Sequence, residues 1–344
     1  MKTAIVWGLL WGLPLVIVLV SLVELGLRWS FGFGNPLLYV RDPEIGYLLA
    51  PQQDVRRFGN RIVINQYSMR GEAIQATPRQ SSAAQPESSR LRLFLLGDSI
   101  ANGGWWTDQD QTLSARLQRR VMESVESKSP APYSSVEVLN ASANSWGPRN
   151  ELAYIQRYGT FGASALILLI NTDDLFATAP TSVQVGRDRH YPDRKPPLAI
   201  AEVIGRYLMP PSPMPELQQV QAEGGDRVGQ NLEAIRQIQA LVMAADGQFL
   251  LALTPLLREV TPPGSRDYEL KARDRLLAFT QAHQMTYLDF LPLFQAMESP
   301  HSLYRDPIHL SDEGNLLVVE SLADILRDVD ILKDVDLLKD DTSL

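Results

Sequence analysis

Apolar and polar positions along the 344 residues fall into three regimes. The first is an uninterrupted apolar run. From Thr3 to Val23 there is no charged residue, and at 1.5 Å per residue a helix there spans about 31 Å, close to the hydrocarbon thickness of a bilayer. Pro14 is tolerated in lipid, and Trp7, Trp11 and Trp29 fit the interfaces. A cleaved signal sequence shares the basic start and apolar core. This run, however, exceeds the roughly 7 to 15 residues of a signal core, and Glu24 to Trp29 offers no small-residue cleavage site. The expectation is an uncleaved anchor over residues 1–30, a partner of the membrane. Lys2 keeps its amino end cytoplasmic and leaves the body outside.

The second regime, 31–90, is a lead-in that contains a strand candidate at 61–65 and ends in a Ser/Ala/Gln/Pro stretch, 75–89, without apolar periodicity. In the third, 91–329, short apolar runs alternate with longer amphipathic ones. Strands are expected at 91–96, 136–139, 165–170, 248–253 and 286–288, mostly apolar throughout as buried parallel strands are. Helices are expected at 114–125, 150–158, 230–245, 266–283 and 311–329, the second entered through Gly147-Pro148. The βαβα rhythm predicts a doubly wound α/β sandwich on a mostly parallel sheet. Two pieces fall outside it: the Pro-rich 178–228, either a lid or a mobile insertion, and an acidic tail at 330–344.

Composition narrows the chemistry. A net charge of −8 without a long Lys/Arg cluster removes the electrostatic footprint of a nucleic-acid binder. No cysteine is present, which excludes disulfides, thiol nucleophiles and Cys-ligated metals. The four histidines, His190, His283, His301 and His309, show no H-x-x-x-H spacing, so neither a metal nor a cofactor is expected.

The run Leu91 to Leu96 leads straight into Gly97-Asp98-Ser99. That places Ser99 at the carboxyl end of a strand, where open α/β sheets bind ligands, with Gly97 permitting a tight turn. A serine hydroxyl needs a base to take its proton and a third group to orient that base. His309 is the candidate base, just ahead of a helix. Asp306, three residues earlier, folds back within one turn to fix the imidazole.

With GDS at Ser99 and DPIHLSDEGN from Asp306 to Asn315, the chain resembles the SGNH/GDSL hydrolases over about 91–329. DPEIGYLLAP and VINQYSMRGEAI resemble the lead-in of membrane-anchored members. The resemblance implies a flavodoxin-like three-layer sandwich, a Ser99–His309–Asp306 triad and an acyl-ester substrate. NASANSWG matches the family's second block, with Ser145 where the oxyanion glycine usually stands. In INTDDLF, Asp173 takes the place of the family's amide donor, and an ionised carboxylate cannot donate. Either Asn171 or Asn144 substitutes, or Asp173 carries a proton, or the oxyanion hole is weakened. The functional expectation is a serine-dependent ester hydrolase or O-acyltransferase acting on envelope glycan, lipid or another acyl ester. The alternative is a catalytically weakened domain that binds glycan or protein partners.

Overall fold

The computed structural model describes residues 2–74, 90–127 and 133–328. The linker expected at 75–89 and the tail expected at 330–344 lie outside the described residues. Helix α1, Lys2–Phe31, opens the chain, and by length and composition its 12–31 portion is able to cross a membrane or to serve as a signal sequence. Two antiparallel hairpins follow: β1 (Tyr39–Asp42) with β2 (Gly46–Leu49), and β3 (Gln53–Arg57) with β4 (Asn60–Ile64).

The body is a five-stranded, wholly parallel sheet of β5 (Arg90–Gly97), β6 (Ser135–Ser142), β7 (Ala165–Asn171), β8 (Gln248–Thr254) and β9 (Thr286–Asp289) in the order β6-β5-β7-β8-β9. Each strand contains the apolar run that announced it. Numbered within the sheet this is 2-1-3-4-5, the flavodoxin-like order, whose switch point lies between its first and third strands, here β5 and β7. Ligand crevices of doubly wound sheets open there.

Alternate side chains of each strand feed two cores. Phe94, Leu96, Leu166, Leu168 and Ile170 face one side, where α4 (Pro148–Tyr158) and α7 (Arg227–Ala244) lie. Leu91, Leu93, Leu95, Ile167 and Leu169 face the other, covered by α3 (Leu113–Glu126) and α11 (Asp312–Asp328). Burying each such side chain contributes about 1.5–3 kcal/mol against chain entropy. The lead-in shares the first core: Tyr39, Ile45, Tyr47, Leu49, Ile62, Ile64 and Met69 pack in the cluster that holds Phe94 and Leu139.

The other α-helices among the described residues are α2 (Ser99–Asn102), α5 (Ala199–Val203), α6 (Pro215–Gln221), α8 (Leu257–Val260), α9 (Asp267–Ala282) and α10 (Phe290–Gln295). Helices α5 and α6, with a π-helical turn at Ile204–Leu208 between them, fall in the Pro-rich 178–228 segment. Glu24 accepts hydrogen bonds from the first backbone N–H groups of α5, Ala199 and Ile200, at 2.8 and 3.0 Å, fixing this segment to α1. At the turn after β5, Gly97 leaves room for Ala101 of α2, since a Cβ would lie 3.0 Å from its side chain, and it serves the sheet as well. A Cβ there would lie 2.4 Å from the Leu169 carbonyl oxygen, so its absence lets β5 and β7 approach beneath the nucleophile.

Candidate active site

Strand β5 ends on Gly97, and the chain turns at once into the short helix α2, which starts on Ser99. Asp98 caps that helix by accepting the Ile100 N–H at 2.8 Å. The carboxyl end of the sheet thereby presents the Ser99 hydroxyl to a cleft of about 950 Å³. On the far side of this opening, a tight reversal closed by the Tyr304–Leu310 bridge and the Arg305 N–H to His309 O bond brings His309 over the strand ends. Leu257 N–H donates to Pro307 O and Tyr304 Oη to Pro255 O, which tie the reversal to the segment after β8.

His309 Nε2 stands 2.9 Å from Ser99 Oγ, and its Nδ1 lies 2.8 and 3.0 Å from the two Asp306 oxygens. The pairing of Nδ1 with a carboxylate favours the tautomer that leaves Nε2 free to accept the serine proton. Burial works against the Asp306 charge. The His309 and Ile308 N–H groups and the imidazole outweigh it, so its pKa falls below the usual carboxylate range. Trp106 packs edge-on against the His309 ring at 4.7 Å between centroids. The structure thus brings Ser99, His309 and Asp306 into one hydrogen-bonded line.

The second block forms the opposite wall. Ser145 adopts φ +59°, a left-handed conformation that favours glycine, which accounts physically for the residue usual at this position. Its Oγ accepts from Tyr191 Oη at 3.0 Å, and the Tyr47 hydroxyl donates to the adjoining Asn144 carbonyl at 2.5 Å. The backbone N–H groups of Ser99 and Ser145 have no acceptor among the described residues. If the Ser145 N–H is what matters, Ser145→Gly is expected to keep kcat/KM for a short ester within about threefold of the native value, because the donor is backbone. A loss beyond about thirtyfold in steady-state assays would assign the role to the hydroxyl instead.

The third block does not place a free amide where the sequence suggested one. Asp173 is half-exposed in the cleft and pairs with Arg258 at 3.5 Å. Asn171 is buried, and its amide donates to Asp98 Oδ2 at 2.9 Å and Asp174 Oδ2 at 3.0 Å, so its hydrogens already serve two carboxyl groups. The Asn144 carboxamide lines the cleft with no protein partner among the described residues.

Three features escaped sequence reasoning because each joins distant segments: Glu151, Asp174 and Arg70. Asp98, Asp174 and Glu151 form a buried acidic group behind the nucleophile. Burial, then the nearby Asp98, pushes Glu151 well above the usual range, and burial with Asp98 and Glu151 does the same to Asp174. Both Glu151 oxygens lack a hydrogen-bond partner among the described residues. A folded-state pKa above the unfolded one means stability is complete below the unfolded value and is lost as pH rises toward the folded one. Glu151→Gln is therefore expected to melt with the native protein at about pH 5 and above it at about pH 8. Parallel melting curves at both pH values would refute a neutral Glu151.

The third feature is Arg70. Its guanidinium is buried and donates to the carbonyls of Asn102 and Gly104, both at 2.6 Å, and of Thr107. It holds the loop that carries Trp105 and Trp106. Among the described residues, no three His, Asp or Glu side chains converge to hold a metal ion.

Comparison with known proteins identifies the family. The family model described as "GDSL-like Lipase/Acylhydrolase family" matches residues 95–317. No curated protein matches the chain. Similar solved structures include a lipase/acylhydrolase from Enterococcus faecalis, 11% identical, covering 69% of this chain and 96% of that one with a TM-score of 0.42. An acetylxylan esterase from Geobacillus stearothermophilus is 12% identical, with 69% and 93% covered and a TM-score of 0.44. TesA is 15% identical, with 69% and 98% covered and a TM-score of 0.43. The family match runs from the end of β5, through the nucleophile turn and the His309 reversal, into α11, and the chain accordingly belongs to the GDSL-like lipase/acylhydrolase family as a serine ester hydrolase.

Proposed function

We propose that Ser99 is the nucleophile, His309 the general base and acid, and Asp306 the residue that orients His309. The observation that carries this is the continuous line from Asp306 Oδ2 through the imidazole to Ser99 Oγ, at 2.8 and 2.9 Å. Ser99 Oγ attacks the acyl carbon while its proton passes to His309 Nε2. The carbonyl electron pair moves to oxygen, which the Ser99 and Ser145 N–H groups receive. Collapse expels the alcohol, protonated by His309, and leaves an acyl-serine. Water, or an acceptor hydroxyl, then attacks with its proton going to His309, and the acyl group departs as acid or new ester.

The third oxyanion donor is assigned to Asn144, whose carboxamide faces the cleft unpaired while Asn171 is committed elsewhere. Removing one such donor typically costs about 3–4 kcal/mol of transition-state stabilisation. The substrate is an acyl ester of envelope glycan or lipid, met on the extracytoplasmic side of a membrane crossed by α1, with residues 31–328 acting as the catalytic body. Asp173, an acid where the family has an amide, favours a second reading, a weakened domain that binds ligand without turnover.

Labelling decides between them. A fluorophosphonate probe is expected to modify the native protein on Ser99 and to leave Ser99→Ala unlabelled, with ester turnover lost in step. A folded protein that resists the probe, or turnover that persists in Ser99→Ala, would overturn the assignment.

A further inference from the structure

The cleft does not end at the triad. From His309 an aromatic wall runs through Trp106 (4.7 Å) and Trp105 (5.7 Å) to Phe58 (4.9 Å), and Phe58 meets Phe31 and Phe33 at 5.8 and 5.7 Å. Phe31 is the last residue of α1. The catalytic histidine is thus linked by touching rings to the point where the apolar helix leaves the body.

The facing wall comes from the Pro-rich segment. Residues 188–192 line the cleft, and the chain then continues through Arg194 and Lys195, both exposed, to Leu198, which is 49% exposed. Pro197 O accepts from Arg28, and α5 begins on Glu24, so this stretch sits at the height where the uncharged part of α1 ends. Trp29, 91% exposed, stands on the same helix end. Neither Arg194 nor Lys195 has an acidic partner among the described residues. Basic and apolar side chains together at the end of an apolar helix match the headgroup layer of an anionic bilayer.

Between the two walls, polar atoms wait for partners. Asn35 Oδ1, Gln184 Oε1 and Arg206 Nε are buried without hydrogen bonds among the described residues, and all three residues line the cleft. Two acceptors and one donor suit a hydroxylated headgroup, and unpartnered buried polar atoms are costly unless a ligand satisfies them.

We infer that the segment 194–198 seats on the lipid surface and that the cleft is loaded from the bilayer, taking an ester-bearing amphiphile whose acyl chain lies along Phe58, Trp105 and Trp106 and whose hydroxylated head reaches Asn35, Gln184 and Arg206. The ester half of this inference rests on the Ser99 assignment above; the seating does not.

The test uses the full chain in phosphatidylcholine/phosphatidylglycerol nanodiscs. Because the chain has no cysteine, Leu198→Cys and, at the exposed turn between α9 and the amino end of β9, His283→Cys each accept a single NBD fluorophore. Doxyl-labelled lipids are expected to quench the probe at 198 and spare the probe at 283. An unquenched probe at 198 overturns the seating. Separately, Arg194→Glu/Lys195→Glu/Leu198→Ser lies outside the cleft, so turnover of soluble p-nitrophenyl acetate is expected to stay within about twofold of native. Turnover of 4-methylumbelliferyl palmitate dissolved in the nanodisc is expected to fall about tenfold or more. Equal turnover of the nanodisc ester by variant and native protein overturns the loading route. Loss of both turnovers in the native protein, with Ser99 unlabelled, overturns the nucleophile instead, and the quenching result then decides the seating by itself.

Discussion

His309→Ala is expected to lower kcat for a soluble ester by about 10⁴-fold or more, while the protein keeps its melting temperature within a few degrees. The imidazole lies 2.9 Å from Ser99 Oγ, nearer than the Asp98 carboxylate at 3.3 Å, and without it the hydroxyl attacks at a neutral alcohol's negligible rate. Asp306→Asn should cost less, about 10²- to 10⁴-fold. The amide still fills the space but no longer accepts from Nδ1 as a charge, so the imidazole loses its tautomer preference. Stopped-assay rates for both variants, with circular dichroism to verify folding, check the ordering. If His309→Ala retained more than about a hundredth of native kcat, proton transfer would have to be assigned elsewhere.

Arg70→Met carries the largest expected loss of stability, about 3–5 kcal/mol. The side chain is 1% exposed, and its guanidinium is the donor for three backbone carbonyls of the loop after α2. Burial lowers its pKa to about 10, with Asp108 opposing the shift, so the group remains a cation at neutral pH. Methionine matches much of the stem's volume but leaves the carbonyls of Asn102, Gly104 and Thr107 without donors. For a body of this size the melting temperature should drop by about 10 °C. Increased proteolysis between Asn102 and Thr107 would localise the damage, and unchanged melting would show that the loop holds itself.

The strands were legible because a parallel strand buried on both faces reads as an unbroken apolar run, and Leu91 to Leu96 is one. The hydrogen-bonded line of Ser99, His309 and Asp306 was legible because its two motifs are local: Gly-Asp-Ser at a strand end, and an Asp-x-x-His turn before a helix. The hairpins were largely not. Tyr39–Asp42 and Gln53–Arg57 are four and five residues long and carry charged side chains, so their pairing is set by the core beneath Tyr47 and Ile62 rather than by their own pattern. Nor does any local signal mark Arg70, Glu151 or Asp174 as neighbours of the site, since each enters from a different element. The commitment of Asn171 to two carboxyl groups was equally out of reach, because Asp98 lies 73 positions away. In the 178–228 segment, prolines break the periodicity that would have revealed α5 and α6. Gly97 has a second reason that the sequence could not show: its missing side chain clears a path for a neighbouring strand as well as for the helix after the turn.

Ser99 and His309 are separated by 210 positions, one just after the first strand of the sheet and the other after the last. A ribosome or translocon therefore releases a chain that holds Ser99 for most of its synthesis with no base beside it. On the proposed assignment, the hydroxyl acquires its base only when the reversal at 304–310 docks, so activity has to wait for the last part of the sheet domain to fold.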